Sequence, residues 1–372
     1  MRIFLNHVDH NYHQLLRQFE DRNRLERCTP LQFLSAINPP PSLAFQIEVI
    51  AVDVELLLSR GIKPPLQVYL SDFPYLVDDI PNVYADVINT FIRSFCPVRS
   101  NGGSLTSTSN YEIGDEIDRG GMGVIYRAVQ KSIGRQVALK VLFLRRENIF
   151  AEAKKIATLN HRNICRIYDV GQIGDFPFMA MQLIQGDSLK KKMQRGRPPI
   201  HVAVNIVLQI AEALTAAHEA NLVHFDVKPG NIVVNSSGHA WLTDFGLARR
   251  SSEISSDVGS LQPASPVYCA PEQLSLQYGD RGFKSDIYSL GLVLYELLTG
   301  RRAFDGNTAQ IIDQLKHDPP RRPTDYDPAI GIELEQVCLR AISKQPDNRF
   351  AYMSQFREAL FSCALKHNAG RH

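Results

Sequence analysis

The sequence has 372 residues, more than the roughly 100 to 200 usual for one domain, so two or three folding units are expected. Hydrophobic residues make up 44% and charged residues 22%, a composition that excludes a chain disordered throughout. The 41 basic and 39 acidic residues leave a formal net charge of +2, so no broad electrostatic field favours a nucleic-acid partner.

The cysteines and the apolar windows bear on the compartment. Six cysteines are scattered without Cys-x-x-Cys or metal-ligand spacing, so reduced, mostly buried thiols are expected, which fits a cytoplasmic protein. The first ten residues lack a signal-peptide pattern. The most apolar windows contain acids such as Glu48, Asp53 and Glu296, so no membrane span is predicted.

Residues 1–96 predict a mainly helical N-terminal module. Apolar residues recur at helical spacing, first at Leu15, Leu16 and Phe19 and then between Phe45 and Leu57. No chemistry is visible in this module, so we expect it to dock on the rest of the chain or on a partner. Residues 97–110 are rich in Gly, Ser and Thr, which predicts a linker.

From Tyr111 the pattern changes to two strands around a glycine-rich turn, followed by a third strand that contains Lys140. Glycines allow backbone N–H groups to approach phosphate oxygens closely. The turn, its flanking strands and the run Val-Ala-Leu-Lys140 resemble the nucleotide-covering loop of eukaryotic-type protein kinases. Asp118 stands where that family has the first glycine of the turn, so its charge would lie near the phosphates.

The resemblance implies a nucleotide site built around Lys140, which would pair with the α- and β-phosphates. Its implied partner is Glu152, with Glu147 as the runner-up; an exposed strand-end lysine and an exposed helix glutamate are the alternatives. The segment from Phe178 to Ile184 would form the hinge over the adenine. The implied nucleotide contacts are Ile117, Gly120, Gly121, Gly123, Val124, Ala138, Lys140, Met181, Gln182, Ile184 and Val233.

Two later loops carry four polar residues: Asp226, Lys228 and Asn231 on the first, and Asp244 on the second. Phosphoryl transfer needs a carboxylate that orients the attacking hydroxyl and hard oxygen ligands that hold a metal, so this composition predicts a metal-and-phosphate site. An Asp in a turn is otherwise a cap or an Asx-turn. The loops resemble the catalytic and metal-binding loops of protein kinases. The lysine at position 228 resembles the one found there in the serine/threonine branch of that family.

That resemblance assigns a role to each of the four residues. Asp226 would orient the substrate hydroxyl and Lys228 would neutralise charge on the transferred phosphoryl group. Asn231 and Asp244 would hold Mg²⁺. His224 and Phe245 are expected to pack in the core.

Phe225 stands between His224 and Asp226, where the family usually has Arg. In those relatives the Arg pairs with a phosphorylated residue of the activation segment. Phe225 cannot do so, which predicts activity that does not depend on phosphorylation there. Ser265 would contact Asp226 and Lys228, or is an ordinary loop serine. The segment still offers candidate phosphorylation sites at Ser251, Ser252, Ser255, Ser256, Ser260 and Ser265.

Three further residues are implied to be structural. Glu272, at the end of an Ala-Pro-Glu run, would form a buried ion pair with Arg349, and Asp286 would brace the backbone of the catalytic loop.

The resemblance covers about residues 111–365 and implies an α+β bilobal protein kinase fold, with a β-rich lobe at 111–184 and a helical lobe at 185–366. The implied activity is transfer of the ATP γ-phosphate to protein Ser or Thr, with Mg²⁺ and with autophosphorylation. A pseudokinase is the alternative that Asp118 and Phe225 favour. A third alternative is a small-molecule phosphotransferase with a related fold. Such a protein should lack the Ala-Pro-Glu run and Asp286, and this chain has both. The segment from Glu55 to Ile80 also resembles a short helical segment that precedes the kinase domain in some bacterial kinases.

Overall fold

The structure is a computed structural model that divides into two compact units. The first contains residues 1–147 and 168–183, and the second contains residues 148–167 and 184–372. The residues described are 10–26, 28–37, 41–59, 66–76, 79–95, 110–120, 123–143, 155–173, 176–245, 249–250 and 266–369.

The first unit begins with helices. They are α1 (His10–Glu26), α2 (Pro30–Ser35), α3 (Leu43–Ser59), α4 (Leu66–Asp72) and α5 (Ile80–Phe95). Asp53 of α3 is buried and accepts hydrogen bonds from Asn23 of α1, at 2.5 Å, and from the Tyr69 hydroxyl of α4. A buried carboxylate needs such donors, so this polar cluster fixes how the three helices pack.

The first unit continues with a five-stranded sheet. Its strands are β1 (Tyr111–Gly120), β2 (Gly123–Gln130), β3 (Arg135–Leu142), β4 (Ile167–Ile173) and β5 (Phe176–Gln182), in the order β1-β2-β3-β5-β4. The β1–β2, β2–β3 and β3–β5 pairs are antiparallel. Buried residues of the helices, such as Val49 and Tyr84, share one hydrophobic core with buried strand residues, such as Tyr126 and Leu139.

The second unit is mainly helical, with short strands beside its long helices. The helices are α6 (Leu189–Gln194), α7 (Ile200–Glu219), α8 (Pro271–Leu274), α9 (Phe283–Thr299), α10 (Thr308–His317), α11 (Ile332–Ala341) and α12 (Met353–Ala369). The short strands are β6 (Asp187–Ser188), β7 (Leu222–Val223), β8 (Ile232–Val234), β9 (Ala240–Leu242) and β10 (Arg249–Arg250). The predicted α+β class, with a strand-rich part followed by a helical part, is confirmed.

Helix α7 lies at the centre of the second unit. Its buried face, which includes Val204, Val207 and Leu214, packs in the same core as buried residues of α9 such as Val293. Within the part of the chain that the structure describes, α7 is the one helix long and apolar enough to cross a membrane, and half of its apolar window is buried. This composition matches its place inside a protein core.

Candidate active site

Asp226, Lys228 and Asn231 lie on the loop between β7 and β8, and their side chains are in contact. Lys228 Nζ donates to both carboxylate oxygens of Asp226, at 3.0 and 2.8 Å. Asn231 Nδ2 donates to the Asp226 backbone oxygen at 2.8 Å and to its Oδ2 at 2.9 Å. A 3₁₀ turn at Pro229–Asn231 brings the amide back to the carboxylate. The loop therefore holds Asp226 in one orientation through residues only two and five positions away.

Asp244 is tied to this loop through its neighbour Thr243. The backbone N–H of Thr243 donates to the Asn231 carbonyl at 2.8 Å, and its hydroxyl donates to the same oxygen at 3.1 Å. Asp244 has a φ of 61°, in the left-handed region that non-glycine residues rarely adopt and that is often found at functional sites. The structure therefore brings the two predicted metal ligands to adjacent backbone positions.

The donor chemistry of Asn231 and Asp244 fits Mg²⁺. The Asn231 amide nitrogen faces Asp226, which leaves its side-chain oxygen for another partner. An amide oxygen and a carboxylate are hard ligands of the kind that Mg²⁺ prefers. Among the described residues there is no cluster of three or more His, Cys, Asp or Glu. Mg²⁺ is usually held by one or two carboxylates together with water and substrate phosphates, so a site with few protein ligands is compatible with it.

His224 connects the two loops and does more than pack in the core. Its Nδ1 accepts the backbone N–H of Asp226 at 3.2 Å, so its proton lies on Nε2, which faces the Thr243 carbonyl at 3.1 Å. The ring is fully buried and lies 4.5 Å from the Phe245 ring, centroid to centroid. Both hydrogen bonds were missed by the sequence analysis, which predicted only a packing role.

Asp286, at the start of α9, braces the same loop from the opposite side. Its Oδ2 accepts the backbone N–H of His224 at 2.8 Å, and its Oδ1 accepts that of Phe225 at 2.8 Å. His218 Nε2 lies 2.9 Å from Oδ2. The carboxylate is fully buried, so it acts through these backbone bonds and not through solvent. This is the contact that the resemblance implied.

Gln273 is a positioning residue that the sequence analysis did not find. Its Nε2 donates to the Phe225 carbonyl at 3.1 Å, and its Oε1 accepts the backbone N–H of Ala270 at 3.0 Å. The side chain is buried and joins the segment after the activation region to the catalytic loop. The only signal in the sequence is its position directly after Glu272.

Glu272 and Arg349 form a bidentate ion pair inside the second unit. Nη1 lies 2.7 Å from Oε1 and Nη2 lies 2.8 Å from Oε2, with both side chains fully buried. The Ser285 hydroxyl donates to Oε1 at 2.7 Å, and Arg349 also donates to three backbone carbonyls. Such saturation of both partners is what a buried pair requires.

Lys140, the predicted phosphate-binding residue, lies in the first unit, on β3. It is opposite Ile125 of β2 and Met179 of β5, and it is 5% exposed. Ala138, two residues earlier, lies opposite Met181, and both are buried. These positions put the predicted lysine and adenine contacts on two adjacent strands.

Backbone geometry explains the residue type at two positions of the glycine-rich turn and its flanking strand. A Cβ at Gly123 would lie 2.2 Å from the Val141 carbonyl oxygen, so close contact of β2 with β3 requires glycine there. Asp118 of β1 is paired with Ile125 of β2, and its side chain is exposed. It is not among the described non-glycine residues with positive φ. Asp118 therefore does not adopt the left-handed backbone conformation that favours glycine.

The other predicted nucleotide residues fall into two groups. Ile117, Gly120, Val124 and Gln182 are in the first unit. Val233, opposite Trp241, and Ile184 are in the second unit. The remaining predicted residues lie outside the described residues: Gly121, Glu147, Glu152, Ser251, Ser252, Ser255, Ser256, Ser260 and Ser265.

A cavity of about 790 Å³ in the second unit is lined by residues of α7, the start of α11 and the end of α12, among them His201, Glu333 and Phe361. None of the four polar residues of the candidate site lines it. The candidate site is therefore identified by its chemistry and not by cavity size.

Comparison with known proteins gives a consistent result. A family model described as "Protein kinase domain" matches residues 111–361. Serine/threonine-protein kinase PknL of Mycobacterium tuberculosis is 35% identical over 255 residues, which cover 65% of this chain and 63% of PknL. Pkn1 of Myxococcus xanthus is 36% identical over 267 residues, covering 68% of this chain and 38% of Pkn1. PrkC of Bacillus subtilis is 36% identical over 256 residues, covering 65% of this chain and 39% of PrkC. In each case the match spans less than two thirds of the relative.

Proposed function

Because the chain belongs to the protein kinase domain family, we propose that it is an active serine/threonine protein kinase that transfers the γ-phosphate of ATP to protein hydroxyl groups. The observation that carries this proposal is the cluster of Asp226, Lys228 and Asn231, tied through Thr243 to Asp244. A chain that served only as a scaffold would have no use for this complete set of polar contacts.

The chain's own residues have distinct roles in the proposed reaction. Asp226 orients the Ser or Thr hydroxyl and accepts its proton as the bond from that oxygen to the γ-phosphorus forms. The bond from the γ-phosphorus to the bridging oxygen breaks, and ADP leaves with the electron pair. Lys228, within hydrogen-bond distance of Asp226, offsets negative charge on the transferred group.

The proposed cofactor is Mg²⁺, held by Asn231 and Asp244. When bound, the ion neutralises phosphate charge and aligns the phosphate chain. Lys140 would contact the α- and β-phosphates, and Asp244 would be fixed by the Thr243 and Asn231 backbone. Manganese suits the same oxygen ligands, so the identity of the metal rests on comparing rates with each ion.

Transfer of labelled γ-phosphate tests the proposal directly. The parent chain, incubated with ATP and Mg²⁺, should label itself and a generic basic protein on Ser or Thr. Asp226→Asn should lower the rate by at least about 100-fold, because it removes the general base. Asp280→Asn removes an exposed carboxylate from the same unit and should leave the rate unchanged.

Two results would contradict the proposal. One is undiminished transfer by Asp226→Asn. The other is no transfer by the parent while ATP still raises its thermal stability, which would identify a protein that binds nucleotide without catalysis.

The scattered cysteines also support a cytoplasmic location, which cell fractionation would test. Burial of the Cys269 and Cys338 thiols raises the pKa of each well above its ordinary value, so both stay protonated and unreactive.

A further inference from the structure

Helix α5 of the N-terminal module lies against the strands that flank the glycine-rich turn. It contacts both β1 and β2 within the first unit. Ile80, Tyr84, Val87 and Ile88 of the helix are buried at helical spacing, so the face that they form over residues 80–88 packs inward. The contact is therefore part of the core of this unit.

Arg119 is the last non-glycine residue of β1 before the turn. It lies opposite Val124, and the next residue, Gly120, lies opposite Gly123 where the hairpin closes. The pairing of β1 with β2 shifts register twice just before this point, between Ile113 and Asp118. Such bulges disrupt the ladder locally around Glu116, and regular pairing resumes from Asp118 to Gly120.

Side-chain bonds connect Arg119 to Glu116, which lies in the irregular part of the ladder, and to helix α5. Nε and Nη2 donate to the two carboxylate oxygens of Glu116, at 2.8 Å each. Nη1 donates to Oδ1 of Asp86, which is on α5. All three side chains are partly buried, with exposed fractions of 24% for Arg119, 25% for Glu116 and 38% for Asp86. Partial burial and bidentate geometry make this network stronger than an isolated surface ion pair.

The same helix also reaches the strand that carries Lys140. The rings of Tyr84 of α5 and Phe143, which directly follows β3, pack edge to face with centroids 5.4 Å apart. Both are fully buried. Helix α5 therefore contacts residues next to both elements from which the phosphate contacts are expected: Arg119, directly before the glycine-rich turn, through Asp86, and Phe143, directly after the lysine strand, through Tyr84.

We propose that Asp86 is a positioning residue for nucleotide binding: through Arg119, the N-terminal module holds the base of the glycine-rich turn, where Arg119 pairs with Val124 and Gly120 with Gly123, in place for the phosphates. Ordering a glycine-rich backbone around a ligand costs conformational freedom. Holding its base beforehand removes part of that cost, which raises affinity without a new contact to the ligand. The inference rests on the proposed function only in taking the ligand to be a nucleoside triphosphate.

The test uses the full chain with Asp86→Asn, which keeps the shape of the side chain and removes its charge. We expect the KM for ATP and the dissociation constant for ADP to rise about threefold to tenfold, which is in the lower part of the range of coupling between residues in contact. We expect kcat to change by less than about twofold, because Asp86 does not touch the reacting groups. Asp86→Glu, which can still reach Arg119, should restore much of the affinity.

Two controls separate positioning from general destabilisation. Glu112→Gln removes an exposed carboxylate from the same strand, β1, and should leave nucleotide affinity unchanged. In a double-mutant cycle, Asp86→Asn should have a smaller effect in the Arg119→Gln background than in the parent, since the proposed coupling acts through Arg119. Thermal unfolding of each variant without nucleotide measures any loss of fold.

The outcomes are distinct. Unchanged or tighter binding by Asp86→Asn overturns the inference, as does an effect that adds fully to that of Arg119→Gln. A parallel loss of kcat, affinity and melting temperature also overturns it, because it indicates a structural role alone. Weaker ADP binding by Asp86→Asn in a chain that transfers no phosphate would support the inference while refuting kinase activity. A parent that binds no nucleotide would refute both.

Discussion

Phe225 adopts a backbone conformation that few side chains tolerate, next to the residue expected to orient the substrate hydroxyl. Its φ is 61°, its N–H is bound by Asp286 and its carbonyl by Gln273. The ring is 4% exposed. Buried backbone contacts from two other elements therefore fix this part of the loop.

This geometry leads to a prediction about the activation segment. Replacing Ser251, Ser252, Ser255, Ser256 and Ser260 together with Ala should leave the rate of phosphate transfer close to that of the parent, because Phe225 offers no charge for a phosphate to pair with. Initial rates at saturating ATP would measure it, with Ser265→Ala made separately since that serine has a different expected role. Loss of transfer with unchanged thermal unfolding would show that phosphorylation of these serines matters.

Helix α3 carries two carboxyl groups whose partial burial disfavours their charged forms. Glu48 and Glu55 lie two turns apart on it and are both half-buried. Burial raises the pKa of Glu48 to about 7, and the charge of Glu55 adds to the effect. Burial also raises the pKa of Glu55, with a further contribution from Glu20 of α1.

The raised pKa of Glu48 predicts a pH-dependent stability. Between an unfolded value near 4.5 and a folded value of about 7, the folded state binds more protons, so the free energy of unfolding falls as pH rises. The loss of stability from ionising the buried Glu48 carboxyl is therefore complete above about pH 7 and absent below about pH 4.5. Glu48→Gln should therefore stabilise the protein by about 1 kcal/mol at pH 8, a value reduced for solvent screening, and change little at pH 5.

Denaturant unfolding at both pH values measures this effect. Glu112→Gln, on an exposed strand position of the same unit, should have no effect at either pH. An equal effect of Glu48→Gln at pH 5 and pH 8 would show that the carboxylate is not the cause.

At the scale of the whole molecule, the second unit is held together by contacts between distant parts of the chain. Glu272 and Arg349 are 77 residues apart in sequence. Arg349 also donates to the carbonyls of Lys284, Ser343 and Lys344, so it joins three segments at one point. Its guanidinium lies 4.7 Å above the centre of the buried Tyr288 ring.

Removing one member of the Glu272–Arg349 pair should lower the stability of the protein, because the charge of the other member stays buried. We expect Arg349→Met to lower the free energy of unfolding by about 3 to 5 kcal/mol, measured by urea denaturation. The matched control is Asp347→Asn, two residues earlier, whose exposed pair with Lys284 should matter little. The double variant Glu272→Met/Arg349→Met should regain part of the loss, since no unpaired charge remains. A single variant as stable as the control would contradict this account.

Local spacing in the sequence was enough for the first loop of the candidate site, although not for Asp244 on the second loop. Asp226, Lys228 and Asn231 are within five residues of one another, so one tight turn brings them together whatever the rest of the chain does. The α+β class, with a strand-rich part followed by a helical part, was implied by the resemblance of the motifs to protein kinases, and that class is confirmed. The roles assigned to the individual residues stay predictions until the variants are measured.

The sequence alone predicted which residues form the candidate site, from local spacing and from motifs that resemble those of protein kinases, and the fold class that this resemblance implied is confirmed. Only the tertiary structure decided which distant groups hold that chemistry in place. Gln273 reaches the Phe225 carbonyl and Asp86 reaches Arg119 across 48 and 33 residues. Burial and hydrogen bonding select such partners after the chain has packed, and no pattern of nearby residues indicates them.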